Sequence, residues 1–186
     1  DLILFGIQGS GKGTQAKLLA QNFGYEIFEA GAELRKIAAT DLPLGNTVAG
    51  YIDHGHLVPF QIIMDVVRDA VSRKSGGQKI LFDGVPRDLF QMRAFEDLMR
   101  DLHREFRCVQ LTVNEESAIK RIVGRAKEQG RADDANEEFI RRRIGLFHEK
   151  TMPVIDAYKK EGRLVEVNGE GSVEEVFGRL KGALNM

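Results

Sequence analysis

The run from Gly6 to Thr14, G-I-Q-G-S-G-K-G-T, has the residue types of an oxyanion cradle. Glycines let successive backbone N–H groups turn inward around phosphate oxygens. Lys12 adds a point charge that reaches the β- and γ-phosphates of a triphosphate, and Thr14 offers a hydroxyl to phosphate or Mg²⁺. The usual pattern puts Ser or Thr directly after the Lys; here Gly13 intervenes. Downstream, Asp83 opens a D-G-V-P-R turn, and arginines recur at 35, 87, 121, 125, 131 and 141–143. A guanidinium fork grips phosphate oxygens in pairs. The plain alternative is that Asp83 caps a strand end and Arg141–Arg143 form a solvated helix face.

These groups need a scaffold. Five apolar runs read as strands: Leu2–Phe5, Tyr25–Phe28, Lys79–Asp83, Phe106–Val113 and Arg163–Val167. Their near-continuous hydrophobicity suits parallel strands buried on both faces. Helical spacing fills the gaps: Ala16, Leu19, Ala20 and Phe23 share one face, with Gly24 as a stop. Further stripes fall at Ile62–Ala70, Ala94–Met99, Ala118–Val123 and Val173–Leu180. A long helix is expected from about Asn136 to Lys160, bending near Pro153. The pattern predicts an α/β fold, a five-stranded parallel sheet flanked by helices, with ligands at the carboxyl ends of the strands.

The chain's 186 residues suit one domain, and its net charge of -1 argues against a general nucleic-acid binder. Arginine outnumbers lysine, 16 to 11, as phosphate recognition favours. The single Cys108 sits in an apolar run and reads as a buried strand thiol, compatible with a reducing compartment. No signal peptide or apolar stretch long enough to span a membrane is evident, so a cytoplasmic location is expected. His54 and His56 lie two apart with no cysteine nearby, a poor zinc set.

G-S-G-K-G-T-Q resembles the adenylate kinase family and its nucleoside monophosphate kinase relatives. The similarity continues in order along the chain. G-A-E-L-R (Gly31–Arg35) resembles the opening of the family's NMP-binding segment, and G-H-L-V-P (Gly55–Pro59) its exit. F-D-G-V-P-R with Gln91 resembles the D-G-F-P-R…Q signature. R-I-V-G-R (Arg121–Arg125) and G-R-A-D-D (Gly130–Asp134) resemble the edges of the lid, and V-N-G-E-G-S-V (Val167–Val173) the adenine loop.

The resemblance implies a P-loop NTPase fold in one kinase domain, residues 1–186. Its core would be 1–29, 59–124 and 132–186, with a helical NMP-binding segment at 30–58 and a short lid at 125–131. It implies reversible transfer from ATP to AMP, with Mg²⁺ but no zinc, by a monomer with no nucleic-acid or membrane partner. Gly9, Ser10, Gly11, Lys12, Gly13, Thr14, Arg121, Arg125 and Gly171 would bind ATP. Ala30, Arg35, His56, Leu57, Val58, Gly84, Val85, Pro86, Arg87, Gln91, Arg131 and Arg143 would bind the monophosphate. Lys12, Arg87, Arg125, Arg131 and Arg143 would carry the catalysis, with Arg142 competing for the place of Arg143. Thr14 and Asp83 would orient the metal, partly through water.

Such a reaction needs positioning and charge neutralisation rather than a general base, because the accepting phosphate, with a second pKa of about 6, is mostly ionised. Three departures stand out. Ala30 replaces the family's usual Thr and resembles UMP/CMP kinases, whereas Gln91 matches the AMP-reading residue. Ala32 removes a carboxylate near the metal, leaving Glu29 and Glu33 as candidates to supply one. Val85 replaces Phe. The rival readings are a UMP/CMP kinase and a catalytically weakened nucleotide-binding homologue.

Overall fold

Five short apolar runs pair side by side as parallel strands: β1 (Leu2–Phe5), β2 (Glu26–Glu29), β3 (Ile80–Asp83), β4 (Arg107–Thr112) and β5 (Leu164–Asn168), in the order β2-β3-β1-β4-β5. The computed structural model describes residues 1–74, 77–129 and 137–186, with the side chains of 125–129 and 137 excepted. Alternation along each strand feeds two cores. Ile3, Phe5, Ile80, Phe82 and Cys108 face one side; Leu2, Leu4, Leu81, Val109 and Leu111 face the other.

The first core is covered by α4 (Phe60–Ser72), α5 (Leu89–Asp101) and α8 (Met152–Lys160). An edge-to-face chain of rings, Phe82–Phe95–Phe106–Tyr158, runs through it with centroids 4.9, 5.3 and 5.8 Å apart. The second core lies under α1 (Lys12–Phe23) and α9 (Val173–Leu184). As expected, α1 stops at Gly24, whose φ of 70° is left-handed.

Residues 30–58 hold α2 (Ala30–Ala38) and α3 (Pro43–Ile52), which pack on each other. Next come α6 (Glu115–Gln129) and α7 (Glu137–Leu146). The long helix expected to bend at Pro153 instead widens one turn earlier, into a π-helical stretch at Phe147–Thr151. Proline has no N–H and its ring crowds the carbonyl four residues back, so the preceding turn cannot close as α-helix.

The connection from β1 crosses to β2, while that from β3 crosses the other way to β4. The crevice between β1 and β3 is therefore the topological switch point, where open α/β sheets bind ligands.

Candidate active site

A cavity of about 720 Å³ opens at this switch point. Its floor is the β1–α1 loop. Gly11 caps α1 at φ 94°, a conformation that resists any residue with a Cβ. Gly9 has a second requirement: a Cβ there would lie 2.4 Å from the carbonyl oxygen of Ala118 on α6. The loop is closed by Ser10 N–H donating to the Ile7 carbonyl at 3.1 Å. Lys12 Nζ curls over it, donating to the carbonyls of Gly6 at 2.8 Å and Ile7 at 3.2 Å. Gly9, Gly11, Lys12, Gly13 and Thr14 line the cavity. Ser10 lies beneath them, 1% exposed, its hydroxyl without a partner among the described residues.

The β3–α5 turn forms the second wall. Asp83, Gly84, Val85, Pro86, Arg87 and Gln91 all line the cavity. Asp88 caps α5 by accepting from the Gln91 N–H at 2.8 Å. That cap turns the Gln91 side chain, 3% exposed, back toward Arg87, whose backbone N–H donates to Gln91 Oε1 at 2.8 Å. A backbone N–H can only donate, so the amide's orientation is settled: its oxygen is engaged and its NH₂ is the group turned to other partners.

Arg87 is held by further bonds. Its Nε donates to the Gly84 carbonyl at 2.8 Å, and its own carbonyl accepts from Thr151 Oγ1 at 2.8 Å. The cavity walls strip water from its guanidinium and lower its pKa; Asp83 acts the other way, and Arg143 and Arg35 lower it further. The side chain still reaches solvent through the cavity, and an arginine titrates so far above neutrality that it stays charged.

The third wall comes from residues 29–58. Glu29, Ala30, Gly31, Leu34, Arg35, Ile52, Gly55, His56, Leu57 and Val58 all contribute. Glu29 sits in register with Asp83 across β2 and β3 and accepts from Arg35 Nη2 at 3.0 Å. Glu33, the other candidate to make up for Ala32, pairs with Lys36 at 2.7 Å and does not line the cavity.

The roof is α7. Arg143 lines the cavity and its Nη1 donates to Gln8 Oε1 of the phosphate loop at 3.4 Å. Arg142 turns elsewhere, donating to the His54 carbonyl at 2.7 Å and pairing with Glu138 at 3.3 Å. Arg121 also lines the cavity; its guanidinium nitrogens lie 3.3 Å from the Gly169 carbonyl and from Glu170, against the loop before α9. Gly171, in that same loop, does not line the cavity. The side chain of Arg125 and all of Arg131 fall outside the described residues.

Sequence reasoning did not single out Gln8 or Thr151 for this site. Gln8 lies inside the recognised motif, so its place was open to inspection. Thr151 had no signal, because its direction depends on the π turn.

A second hollow, about 540 Å³, lies by the N-terminal ends of β4 and β5. Its arginine, Arg163, is already held by Glu96 at 2.8 Å and Glu161 at 3.2 Å. It has none of the glycine-rich backbone of the first.

A phosphate loop with its lysine, facing an acidic residue and several arginines across the switch point of a parallel sheet, defines a P-loop nucleotide-binding protein. A family model described as "Adenylate kinase" matches residues 4–163. A Thermus thermophilus protein named adenylate kinase is 38% identical over 186 residues, spanning 100% of this chain and 97% of its own length. One from Parabacteroides distasonis is 36% identical, with the same shares covered. A third, from Phocaeicola vulgatus, is 35% identical over 185 residues, 99% of this chain and 97% of the relative. The chain belongs to the adenylate kinase family.

Proposed function

We propose that this chain transfers the γ-phosphoryl group of ATP to AMP, reversibly, giving two ADP. The observation that carries the reading is the single cavity shared by the phosphate loop, the Asp83–Arg87 turn, the 29–58 wall and Arg143. The full-length relatives named adenylate kinase support the same activity.

In this reading the loop from Gly9 to Thr14 holds the ATP phosphates and Lys12 leaves the loop carbonyls to reach them. Arg35 and Arg87 grip the phosphate of AMP. Arg143, with Arg131 and Arg125 from the lid, neutralises charge on the group in transit. Such groups lower the barrier by meeting charge that is spread over the transferring oxygens. Arg121 and Gly171 serve the ATP side by shaping the loop before α9. Both nucleotides meet within one chain, so the reaction needs no second copy.

Mg²⁺ accompanies ATP in this reading. The Thr14 hydroxyl and Asp83 carboxylate form an all-oxygen donor set, which fits a hard cation held through phosphate and water. When bound, the ion neutralises phosphate charge. Among the described residues no group of three His, Cys, Asp or Glu is placed to hold a metal by itself.

Gln91 favours AMP. With its oxygen held by Arg87, its NH₂ asks the base edge for an unprotonated ring nitrogen, which adenine N1 and cytosine N3 supply. Guanine and uracil carry a ring N–H at the matching place. Leu34, Leu57, Val58 and Ile63 then reward the larger purine over cytosine through apolar burial. A coupled assay of ADP formation with AMP, CMP, GMP and UMP tests the proposal; AMP should be used best and CMP second. Comparable rates with UMP would overturn the assignment of Gln91, and ATP binding without any ADP formed would overturn the kinase reading.

Residues 30–58 and the short lid at 125–131 close over the nucleotides in this reading, excluding water that would compete with AMP. A distance between Lys12 and Arg131 that is the same in crystal structures with and without a two-substrate analogue would contradict closure.

A further inference from the structure

We propose that Thr151 is a positioning residue for phosphoryl transfer, holding the backbone of Arg87 so that its guanidinium is aimed at the acceptor phosphate. The proposal rests on the phosphate-gripping role given to Arg87 above.

Pro153 sets the local geometry of this helix. A continuous α-helix would need a Pro153 N–H for the Glu149 carbonyl, and proline has none. The helix instead widens, and Met152 N–H bonds to the Phe147 carbonyl five residues back. Such single-turn widenings concentrate at functional sites. A mid-helix threonine commonly turns its hydroxyl onto its own helix, to a carbonyl in the preceding turn. Thr151 does not. It is 6% exposed, lines the cavity, and donates to the carbonyl of Arg87, 64 residues earlier in the chain, at 2.8 Å.

Arg87 is thereby fixed on both sides of its Cα. Gln91 Oε1 takes its N–H and Thr151 Oγ1 meets its carbonyl, while the side-chain Nε bonds back to Gly84. With the peptide groups on either side tied, the Cα–Cβ direction is set before substrate arrives. The same helical rod carries Arg143 against Gln8 of the phosphate loop. The π turn therefore ties the arginine that grips the acceptor phosphate to the helix that carries Arg143. Misplacing a catalytic cation by an ångström can cost about 100-fold, so one backbone bond at this point matters more than its stability alone suggests.

The test compares Thr151→Val, which keeps the shape and removes the donor, with Thr151→Ser, which keeps the donor. Steady-state kinetics in both substrates, calorimetric AMP binding and thermal melts are measured on the full chain. Thr151→Val should lower kcat/KM for AMP about tenfold with KM for ATP within about twofold, and Thr151→Ser should stay within about twofold of the parent. In an Arg87→Ala background, AMP binding should lose less than about twofold on adding Thr151→Val, because the two residues act as a unit. If Thr151→Val does not fold, Thr151→Ala takes its place with the same thresholds. Arg87→Ala with parental turnover would remove the role given to Arg87. With that role intact, the proposal falls on its own if Thr151→Val leaves kcat/KM for AMP unchanged. It falls equally if Thr151→Ser is as impaired as Thr151→Val, or if the loss persists undiminished without the Arg87 guanidinium.

Discussion

Gln91→Glu should reverse the polarity of the base-reading group while leaving the protein around it intact. A carboxylate oxygen can replace the amide oxygen as acceptor for the Arg87 N–H at 2.8 Å, so the turn keeps its tie. The other atom changes from an NH₂ donor to an acceptor. Facing adenine N1, two lone pairs now oppose each other at a position only 3% exposed, with little water to separate them. The lost hydrogen bond and the unpaired buried acceptor together cost about 1–3 kcal/mol. At roughly 1.4 kcal/mol per tenfold, kcat/KM for AMP should fall about 5- to 140-fold. The ring N–H of GMP or UMP would meet a matched acceptor, so the ratio of their use to that of AMP should rise. The assay is coupled ADP formation with each monophosphate at saturating ATP, alongside a thermal melt. A variant that folds and still uses AMP at the parental kcat/KM would refute the reasoning, as would a fall shared equally by all four acceptors.

Two further outcomes are expected. Lys12→Ala should lower turnover by about 10²–10³ or more with the melting temperature little changed, since the Gly6 and Ile7 carbonyls it bonds are part-buried and water can replace it there, while its role is in the reaction; near-parental turnover would remove the phosphate-loop assignment. Cys108, 0% exposed on β4, is pushed up to about 12, first by burial, with Glu96 and Glu161 acting the same way and Arg163 opposing. Its native pKa exceeds the unfolded value, so its contribution to stability is whole below about 8.5 and is lost as pH rises from there through about 12. Urea unfolding from pH 7 to 11 should show this loss, reduced in Cys108→Ala, and a thiol reagent at pH 8 should label Cys108 only on unfolding.

The sheet was legible chiefly because its three inner strands, β1, β3 and β4, are buried on both sides, so each reads as a nearly unbroken apolar run. β2 is an edge strand with Glu26 exposed and Glu29 half-buried; its observed span, Glu26–Glu29, sits one residue beyond the Tyr25–Phe28 expected. The phosphate loop was legible for a different reason. Its function lies in backbone geometry, and glycine spacing records that geometry directly. Choosing between Arg142 and Arg143 was beyond sequence, since neighbours on a helix point about 100° apart and the phase of α7 is set by packing. Packing sends Arg143 into the cavity and Arg142 to the His54 carbonyl. Thr151 was hidden more deeply: Pro153 announced an irregularity, but proline spacing does not say whether a helix will kink or widen.

Glu29 poses the last question, because it has two possible effects of opposite sign on AMP. Its carboxylate holds Arg35 at 3.0 Å and so orients a phosphate-gripping residue; it also occupies that residue and adds negative charge where a dianion must enter. Magnitudes decide between them. The pair is 37% and 42% exposed, and such ion pairs contribute about 0–1 kcal/mol, so little orientation is lost without it. A full charge about 6 Å from a phosphate, at an effective dielectric of about 40, opposes binding by roughly 1.4 kcal/mol per unit charge. Repulsion wins. Glu29→Gln should therefore tighten AMP binding about 20- to 100-fold at low salt, with the gain shrinking as ionic strength rises and screening takes over. Calorimetric titration of AMP across a salt series reads both effects. Weaker binding in the variant, or a gain indifferent to salt, would show that Glu29 serves Arg35 as an orienting partner and not as a competitor of the substrate.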